Sequence, residues 1–307
     1  MSLAGRQSDS APLLRGDLRL NEPMAGHNSW RAGGVAERFY LPADRDDLLV
    51  FLGSLMIDEP LLWVGLGSNL LVRDGGIQGT VVCTINRLKA MSQVREGVIE
   101  VQAGVPCGHV AKFCAEHGYT GGEFLAGIPG TMGGALAMNA GAFGGETWQL
   151  VRRVQTVDRY GTVRDRSPSD FKVGYRSVCG PQGEWFLGCE LALARGDAAA
   201  SRDRIKGLLA RRNETQPTNW PSCGSVFRNP EGDYSARLIE VSGLKGYSIG
   251  GAQVSEKHAN FIINTGNASA DDIEVLVFYV QSEVYRQQGI MLVPEVKIVG
   301  QKSGEAQ

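Results

Sequence analysis

The fold of this chain is decided by Gly127-Ile128-Pro129-Gly130-Thr131-Met132-Gly133-Gly134, which continues to Met138-Asn139-Ala140-Gly141-Ala142. Small residues are too dense in this segment for an ordinary core helix, so its backbone amides must be approachable. Successive amides that no side chain covers form a concavity that binds anions. The segment therefore predicts a phosphate-binding loop, whereas glycines needed only for tight turns or close packing would leave the same pattern.

A second glycine loop, Gly65-Leu66-Gly67-Ser68-Asn69, lies between the apolar runs Leu61–Gly65 and Leu70–Val72. The pattern is typical of a strand, a tight loop and a continuing strand. Two such loops in one chain favour a ligand, and together they would hold a pyrophosphate. Neither loop is a GxGxxG turn with an acidic residue about twenty positions later, and neither leads into GK[ST]. An NAD-type Rossmann domain and a Walker loop are therefore not indicated.

The rest of the chain is rich in strands with few helices between them. A strictly alternating strand runs from Trp185 to Leu193, and helical spacing marks Cys107–His117. The other predicted strands are Gly97–Ala103 and the two arms of a hairpin, Val151–Asp158 and Thr162–Asp165. This order indicates an α+β fold rather than a repeating βαβ array.

Composition shifts divide the chain into parts. Arg195–Ser201 predicts a linker, because Gly196-Asp197 is followed by three alanines before a helical pattern begins. The final third predicts a helix that is capped by Ser269 and stopped by Gly289, then a strand at Glu295–Val299. The predicted division is a flexible N-terminal extension at 1–20, two subdomains at 21–90 and 91–197, and a C-terminal domain at 201–301.

The composition argues against several classes of function. Of 307 residues, 31 are Lys or Arg and 33 are Asp or Glu, so a formal charge of -2 provides no field for nucleic acid or an anionic membrane. The uncharged stretch from Phe124 to Gly145 is too rich in glycine for a membrane span. Six scattered cysteines without a CxxC pair favour small buried hydrophobes in a reduced cytosolic setting over a zinc site or a redox dithiol.

Several further motifs accompany the two glycine loops. They are Tyr175-Arg176-Ser177, Pro221-Ser222-Cys223-Gly224-Ser225-Val226-Phe227-Arg228-Asn229-Pro230, Gly243-Leu244-Lys245-Gly246, Gly250-Gly251-Ala252-Gln253-Val254-Ser255-Glu256-Lys257-His258-Ala259-Asn260-Phe261 and Pro294-Glu295-Val296. In order and spacing, this set closely resembles the UDP-N-acetylenolpyruvoylglucosamine reductase family, also called the MurB family. The resemblance covers about residues 26 to 300 and is specific, because it combines many motifs that are each modest.

This resemblance implies an FAD-binding half of the vanillyl-alcohol-oxidase (PCMH) type, built from two α+β subdomains, and a separate substrate-binding domain. It implies a cytoplasmic, monomeric enzyme that uses NADPH to reduce the enolpyruvyl ether of a UDP-amino sugar for cell-wall precursors. The partners would be small molecules, without nucleic acid, membrane insertion or a metal. The residues implied to hold FAD are Gly65, Gly67, Ser68, Asn69, Leu70, Gly127, Ile128, Pro129, Gly130, Thr131, Gly133, Gly134, Asn139 and Gly141.

The same resemblance implies three catalytic residues. Ser225 would protonate the enolic carbon, and Arg176 would stabilise the charge that grows on the substrate carboxylate. Glu295 would act either as a protonated acid or by orienting a proton-donating water. Taken alone, these side chains would read as a turn serine, a surface ion-pair residue and a solvated charge at the end of a strand.

Substrate binding is implied for Tyr175, Arg176, Asn229, Gln253 and His258, although His258 also fits a neutral core histidine. Two features depart from the family. Thr215 stands where lysine is common, so Arg211 or Arg212 would have to supply that charge. Only about thirty residues separate Ser177 from Ile205, too few for a tyrosine-bearing insertion, so another group must cover the site in this short-loop class.

Two other functions stay open on the sequence alone. A related flavin oxidase or dehydrogenase would use the same FAD scaffold on a different small molecule. A non-catalytic nucleotide-binding module would purify without yellow flavin. Rapid reoxidation of the NADPH-reduced protein by the enolpyruvyl nucleotide, without oxygen, separates both alternatives from the reductase.

Overall fold

The computed structural model describes residues 14–304. Its strands, numbered in chain order, are β1 Asp17–Pro23, β2 Val35–Leu41, β3 Leu61–Val64, β4 Leu70–Val72, β5 Ile77–Cys83, β6 Met91–Arg95, β7 Val98–Gln102, β8 Tyr119–Thr120, β9 Gly141–Ala142, β10 Gly145–Glu146, β11 Val151–Asp158, β12 Val163–Arg166, β13 Lys172–Gly174, β14 Ser177–Cys179, β15 Glu184–Ala192, β16 Ala194–Arg195, β17 Ser248–Ile249, β18 Ala252–Val254, β19 Ile262–Asn264 and β20 Lys297–Val299. The α-helices are α1 Arg45–Gly53, α2 Cys107–Glu116, α3 Met132–Met138, α4 Ala198–Thr215, α5 Ser235–Val241 and α6 Ala270–Gln288.

The first sheet has the strand order β1-β2-β5-β3, with β1 antiparallel to β2 and the other neighbours parallel. Leu48 and Phe51 of α1 pack in one buried cluster with Tyr40 of β2 and Val82 of β5. The first glycine loop follows β3 directly, so the sheet fixes where that loop begins. Beyond the loop, β4 pairs in parallel with β20, the last strand of the chain. The predicted continuation of the strand therefore leaves the first sheet.

The predicted flexible extension at 1–20 is wrong for its last part. Asp17–Pro23 forms β1, paired along β2, and the backbone N–H of Arg15 donates to Asp47 Oδ1 (2.7 Å). Leu18 and Leu20 remain exposed, so this strand has no buried face. Its residues therefore show no hydrophobic alternation from which a strand could be predicted. Residues 1–13, to which the same prediction applied, lie outside the described residues.

The second sheet is antiparallel throughout, in the order β12-β11-β15-β7-β6. The predicted hairpin, the alternating strand β15 and the strand near Gly97–Ala103 are all confirmed. The predicted helix at Cys107–His117 is α2, which together with α3 buries its apolar side chains against this sheet. The glycine-rich segment that begins at Gly127 contains one short helix, α3, which lies between turns.

The predicted linker at Arg195–Ser201 is almost entirely ordered structure. Arg195 belongs to β16, and Ala198 opens α4 behind Asp197, whose carboxylate accepts a bond from the N–H of Ala200 (2.7 Å). Alanine is the strongest helix former and aspartate a good N-cap, so a run that looked like a composition break is a helix start. The helix packs against α2 and Glu123–Gly127, and the domain boundaries stay predictions.

The C-terminal part packs the three-stranded sheet β17-β18-β19 against α6. The predicted caps of α6 are confirmed: Ser269 accepts a bond from the N–H of Asp272 (3.0 Å), and Gly289 is left-handed with φ of +71°. Trp30 from the N-terminal region is fully buried in this core and donates from Nε1 to the Ile262 carbonyl (2.8 Å). The segment around Trp30 therefore shares one core with the C-terminal part, and Leu71 of β4 belongs to the same core.

One buried ion pair joins the loop after β4 to α6. Arg73 donates from Nε and Nη2 to both oxygens of Glu274 (2.8 Å each), and the Glu274 side chain is only 4% exposed. These bonds lower the pKa of Glu274 below its usual value. Because removing one partner leaves a buried charge unpaired, the pair should matter most for stability at neutral pH.

Arg73→Met is expected to lower the free energy of unfolding by about 3 kcal/mol at pH 7, as measured by chemical denaturation. A lowered folded-state pKa means that the stabilisation is complete above the unfolded value, about pH 4.5, and is lost as pH falls through the folded value. The difference from wild type should therefore shrink in acid. Lys206→Met, which breaks the exposed Lys206–Asp203 pair, is the matched control and should change stability by less than about 0.5 kcal/mol. An equal effect of both substitutions would contradict the assignment.

Candidate active site

The two glycine loops lie against each other. A Cβ added to Gly65 would lie 2.2 Å from Thr131 Oγ1, and one added to Gly130 would lie 3.3 Å from Ser68 Oγ. Only a residue without a side chain permits the first of these approaches. The structure therefore brings together the two segments that the sequence marked as phosphate-binding.

The first loop presents free backbone amides. Gly67 has φ of +67°, a conformation open to glycine, and its carbonyl accepts a bond from the N–H of Ser29 (3.2 Å). Within residues 14–304, no acceptor bonds the backbone N–H groups of residues 66–69. Opposite them, Thr131 Oγ1 is buried without a hydrogen-bond partner among the described residues. Such a cradle of unpaired donors suits an anionic, oxygen-rich ligand.

Gly67→Ala is expected to weaken cofactor binding at least tenfold, because the left-handed backbone costs about 1–2 kcal/mol for alanine. The new Cβ would also lie 2.1 Å from the His27 carbonyl, which would displace the loop. Flavin content after purification and titration of the stripped protein measure the effect. The control is Gly207→Ala in α4, where nothing lies within 4 Å of the added Cβ. Wild-type affinity in Gly67→Ala would show that the loop does not hold the ligand.

A cavity of about 810 Å³ opens beside the two loops. Segments from all three predicted parts of the chain border it, so it lies where they meet. The predicted site residues that line it are Ser68, Asn69, Gly127, Ile128, Pro129, Gly141, Tyr175, Arg176, Ser225 and Glu295. The structure thus places the three predicted catalytic residues around one space.

Other predicted cofactor residues lie outside the cavity lining, next to the two loops. Gly133 packs on Ala103, whose Cβ would lie 2.9 Å from an added Cβ. Asn139 ends α3 with φ of +46°, and its amide group donates to Glu146 Oε2 (2.8 Å) and accepts from the N–H of Trp148 (3.1 Å). The remaining members of this group are Gly65, Gly67, Leu70, Gly130, Thr131 and Gly134, which contact or flank the lining residues without bordering the cavity.

Three predicted substrate residues lie outside the cavity lining. Asn229 Oδ1 accepts a bond from the N–H of Ser235 (3.1 Å), and Gln253 donates to the Gly246 carbonyl (3.3 Å). His258 packs edge-on against Phe261, with Nδ1 buried and unpartnered among residues 14–304. Burial lowers the pKa of His258 and so favours the neutral ring. Substrate contact by these three residues stays a prediction.

Arg176 occupies the two-residue turn between β13 and β14 and has φ of +51°. A left-handed backbone at the second central position of a turn ordinarily selects glycine or asparagine. An arginine held there is strained, and strain of this kind clusters at functional sites. The side chain donates from Nη2 to the Gly141 carbonyl (2.9 Å), so it reaches across to the edge of the second glycine segment.

Glu295 lies beside this guanidinium. Its Oε1 is 3.1 Å from Arg176 Nε, and its side chain is 9% exposed. The Arg176 Nε–H does not point at the carboxylate, so the contact is an ion pair without a hydrogen bond. Burial raises the pKa of Glu295, and the positive charges of Arg176 and Arg228 oppose that rise. The site therefore holds a carboxyl group that takes up a proton more readily than an exposed one.

Ser225 follows Gly224, which has φ of +73°, and precedes a segment paired with Glu295. The N–H of Glu295 donates to the Val226 carbonyl (2.7 Å), so the hydroxyl and the carboxyl extend from adjoining backbone. Ser225 is half-buried, and among residues 14–304 nothing bonds its hydroxyl. A free hydroxyl at a cavity wall is available to a ligand.

Several cavity residues escaped the sequence analysis. Arg31 and Phe143 line the cavity with φ of +57° and +53°. Their residue types gave no hint of a left-handed backbone. Trp220 is exposed on the segment 216–221 that also borders the cavity. Its position close before the Ser225 motif was the one available signal.

Comparisons with known proteins agree with this geometry. A family model described as an FAD binding domain matches residues 39–167, and one described as the C-terminal domain of UDP-N-acetylenolpyruvoylglucosamine reductase matches residues 216–299. A UDP-N-acetylenolpyruvoylglucosamine reductase from Methylococcus capsulatus is 63% identical over 301 residues, covering 98% of this chain and 99% of the relative. The chain belongs to the UDP-N-acetylenolpyruvoylglucosamine reductase family.

Further relatives of the same family support the match. The reductase from Legionella pneumophila (strain Philadelphia 1) is 55% identical over 301 residues, covering 98% of this chain and 98% of the relative. The crystal structure of the family member MurB from Thermus caldophilus superposes with a TM-score of 0.80 at 29% identity, covering 93% of this chain and 99% of that one. The predictions of the family, of the α+β PCMH-type fold and of FAD as cofactor are confirmed.

The residues present fit FAD. The unpaired amides of residues 66–69 suit its pyrophosphate, and the buried hydroxyl of Thr131 faces the same loop without a partner among the described residues. The glycines at 65 and 67 leave the backbone close to neighbours that a side chain would displace. No helix among residues 14–304 has the length and apolar content needed to cross a membrane.

Proposed function

We propose that this reductase converts the enolpyruvyl ether of UDP-N-acetylglucosamine to the lactyl ether of UDP-N-acetylmuramate, with NADPH as reductant, for peptidoglycan precursors. One observation carries the proposal. Glu295, buried 3.1 Å from Arg176, extends from backbone that adjoins Ser225, and all three line a cavity beside the FAD loops. Family membership supports the choice of substrates.

The substrate's chemistry calls for this set of groups. Its double bond is conjugated to a carboxylate, so hydride addition at the terminal carbon leaves negative charge on the neighbouring carbon and the carboxylate. Bound FAD supplies the hydride, which originates from NADPH. Arg176 binds the carboxylate and stabilises the growing charge. The bond from its Nη2 to the Gly141 carbonyl supports this role, because it fixes the guanidinium before the reaction starts.

Ser225 donates the proton that completes the reduction. A serine hydroxyl is a poor acid in water, but the carbon that receives the proton is strongly basic. The hydroxyl makes no bond to other described residues, so it is free to contact that carbon. Glu295, with its raised pKa, either donates a hydrogen bond as a neutral acid or orients a proton-donating water.

The phosphate groups of the substrate require a positive charge near the missing lysine. Arg212 borders the cavity, whereas Arg211 is exposed and Thr215 donates its hydroxyl to the Arg211 carbonyl (2.8 Å). Arg212 donates from Nε to Gln216 (3.3 Å) and has no acidic partner among residues 14–304. Burial lowers the pKa of Arg212, as expected for a cation held without a counter-ion. It is the better candidate for the diphosphate.

The proposal includes the finer expectations from the sequence. The protein acts as a cytoplasmic monomer, prefers NADPH to NADH, and divides at 21–90, 91–197 and 201–301. The three catalytic residues, the loop residues for FAD and the substrate contacts of Tyr175, Asn229, Gln253 and His258 belong to it as well. Family membership supports these statements, and the shared cavity supports those for the three catalytic residues and Tyr175.

Product analysis tests the proposal. Purified yellow protein, NADPH and UDP-N-acetylglucosamine enolpyruvate are incubated without oxygen, and the nucleotide sugar is analysed by mass spectrometry. A product heavier than the substrate by two hydrogen atoms is expected. Unchanged nucleotide, with NADPH oxidised only when oxygen is admitted, would favour a flavin oxidase with a different substrate.

A further inference from the structure

Arg228 connects the segment that carries Ser225 to the turn that carries Arg176. Its Nη2 donates to the Arg176 backbone carbonyl (3.0 Å), although 52 residues separate the two along the chain. Arg228 does not itself border the cavity, so it reaches the site through another residue. Its Nε is buried and has no partner among the described residues.

The turn at Arg176 needs such a support. Its left-handed backbone is unfavourable for an arginine, which has a Cβ that glycine lacks, so the turn would relax unless other contacts held it. The hairpin on either side is short, three residues in each strand, and β13 is exposed along its length. A charged hydrogen bond to the turn carbonyl is therefore a substantial part of what keeps the Arg176 guanidinium in place.

The position of Arg228 is itself fixed by the segment that carries Glu295. The N–H of Arg228 donates to the Val293 carbonyl (2.9 Å), and the Arg228 carbonyl accepts a bond from the Ser235 hydroxyl (2.5 Å). Two residues earlier, Val226 accepts the bond from the N–H of Glu295 (2.7 Å). Ser225, Arg228 and Glu295 thus belong to one pair of hydrogen-bonded segments. Arg228 fixes the position of Arg176 relative to these segments.

Arg228 also contributes charge. The cations that oppose the effect of burial on the Glu295 carboxyl are Arg176 of the hairpin, whose Nε is 3.1 Å from Oε1, and Arg228 of the segment paired with that of Glu295. Around the rest of the cavity lie Arg31, Arg212 and Glu146, the last of which is bonded to Asn139. Of the two cations among residues 14–304 that oppose the effect of burial on that carboxyl, replacing Arg228 by a neutral residue therefore leaves Arg176.

We propose that Arg228 is a positioning residue for the reduction: it holds the strained turn of Arg176 and supplies a second positive charge from the segment paired with that of Glu295, without touching the substrate. The inference rests on the proposed function for its meaning. It predicts that Arg228 affects the step in which the substrate is reduced and leaves the reduction of flavin by NADPH intact.

The test compares Arg228→Met, Arg228→Lys and wild type as holoenzymes in the two half-reactions. Arg228→Met is expected to slow anaerobic reoxidation by the enolpyruvyl nucleotide about ten- to hundredfold, the loss of one charged hydrogen bond. Arg228→Lys keeps a charged donor and should recover most of the rate. The control is Arg159→Met, which likewise removes a bond to a distant backbone carbonyl, that of Glu59 (2.7 Å), at a residue that does not line the cavity. It should leave both half-reactions unchanged.

A pH profile separates positioning from a general loss of structure. Removing the positive charge of Arg228 raises the pKa of the Glu295 carboxyl further. The part of the pH profile of reoxidation that reports this carboxyl is the part that disappears in Glu295→Gln. In Arg228→Met, this part should move to higher pH. Unchanged reoxidation in Arg228→Met would overturn the inference, as would a lowered rate with this part of the profile unmoved and no rescue by lysine. If the wild-type enzyme itself is not reoxidised by the nucleotide, the proposed function fails instead.

Discussion

Ser225→Ala slows reoxidation of the NADPH-reduced enzyme by its substrate about 10²–10⁴-fold, the usual contribution of a positioned general acid. Reduction of the flavin by NADPH stays nearly normal, because the Ser225 proton is needed only after hydride has reached the carbon. The free, half-buried hydroxyl at the cavity wall is the structural basis of this expectation. Anaerobic rapid mixing measures the two half-reactions separately.

A hydroxyl deletion far from the cavity provides the control for this result. Ser282→Ala on α6 removes a bond to the Tyr279 carbonyl (2.9 Å) and should leave both rates unchanged. If NADPH reduction of Ser225→Ala slowed as much as reoxidation by substrate, the residue would act in flavin binding or folding. The role of proton donor would then be wrong.

Glu295→Gln has the second large effect, a loss of about 10²-fold or more in the same later step, because glutamine keeps the shape of the side chain and removes its proton chemistry. A raised pKa in the folded state means that the carboxyl contributes stability below its unfolded value and loses it as pH rises through the folded value. The variant should therefore unfold no more easily than wild type at pH 8, as chemical denaturation would show.

Glu116→Gln on the exposed surface of α2 is the matched control and should change neither rate nor stability. Two outcomes would contradict the assignment of Glu295. One is wild-type reoxidation in Glu295→Gln across the pH range. The other is a large loss of stability at high pH, since that would make the carboxylate a structural ion-pair partner of Arg176 rather than a destabilised group of the site.

The sequence predicted those elements that a regular spacing of apolar residues or a local turn or cap signal marks. β15 and α6 have such a spacing, α6 also has its caps, and the turn between β11 and β12 marks their hairpin. β1 and β13 are held by backbone pairing and are almost wholly exposed, so no hydrophobic period marked them. Composition also misled at Asp197–Ala200, where alanines that resembled a linker begin a helix.

The candidate site was likewise predicted only in part. The family resemblance named Ser225, Arg176 and Glu295, and all three line one cavity although they come from three separate motifs. Their catalytic roles stay predictions. The contact between Arg228 and Arg176 joins two parts of the chain that are far apart in sequence, so local residue spacing could not predict it. The sequence also does not predict the left-handed backbone of Arg31, Phe143 and Arg176, since these residue types ordinarily avoid that conformation.

Anaerobic stopped-flow mixing of NADPH-reduced enzyme with UDP-N-acetylglucosamine enolpyruvate shows whether the bound flavin reduces this substrate. We expect the yellow absorbance of oxidised flavin to return in a single turnover, much faster than with buffer alone, and Ser225→Ala nearly to abolish this return. Flavin that stays reduced until oxygen is admitted, or protein that cannot take up FAD, would contradict the proposed function.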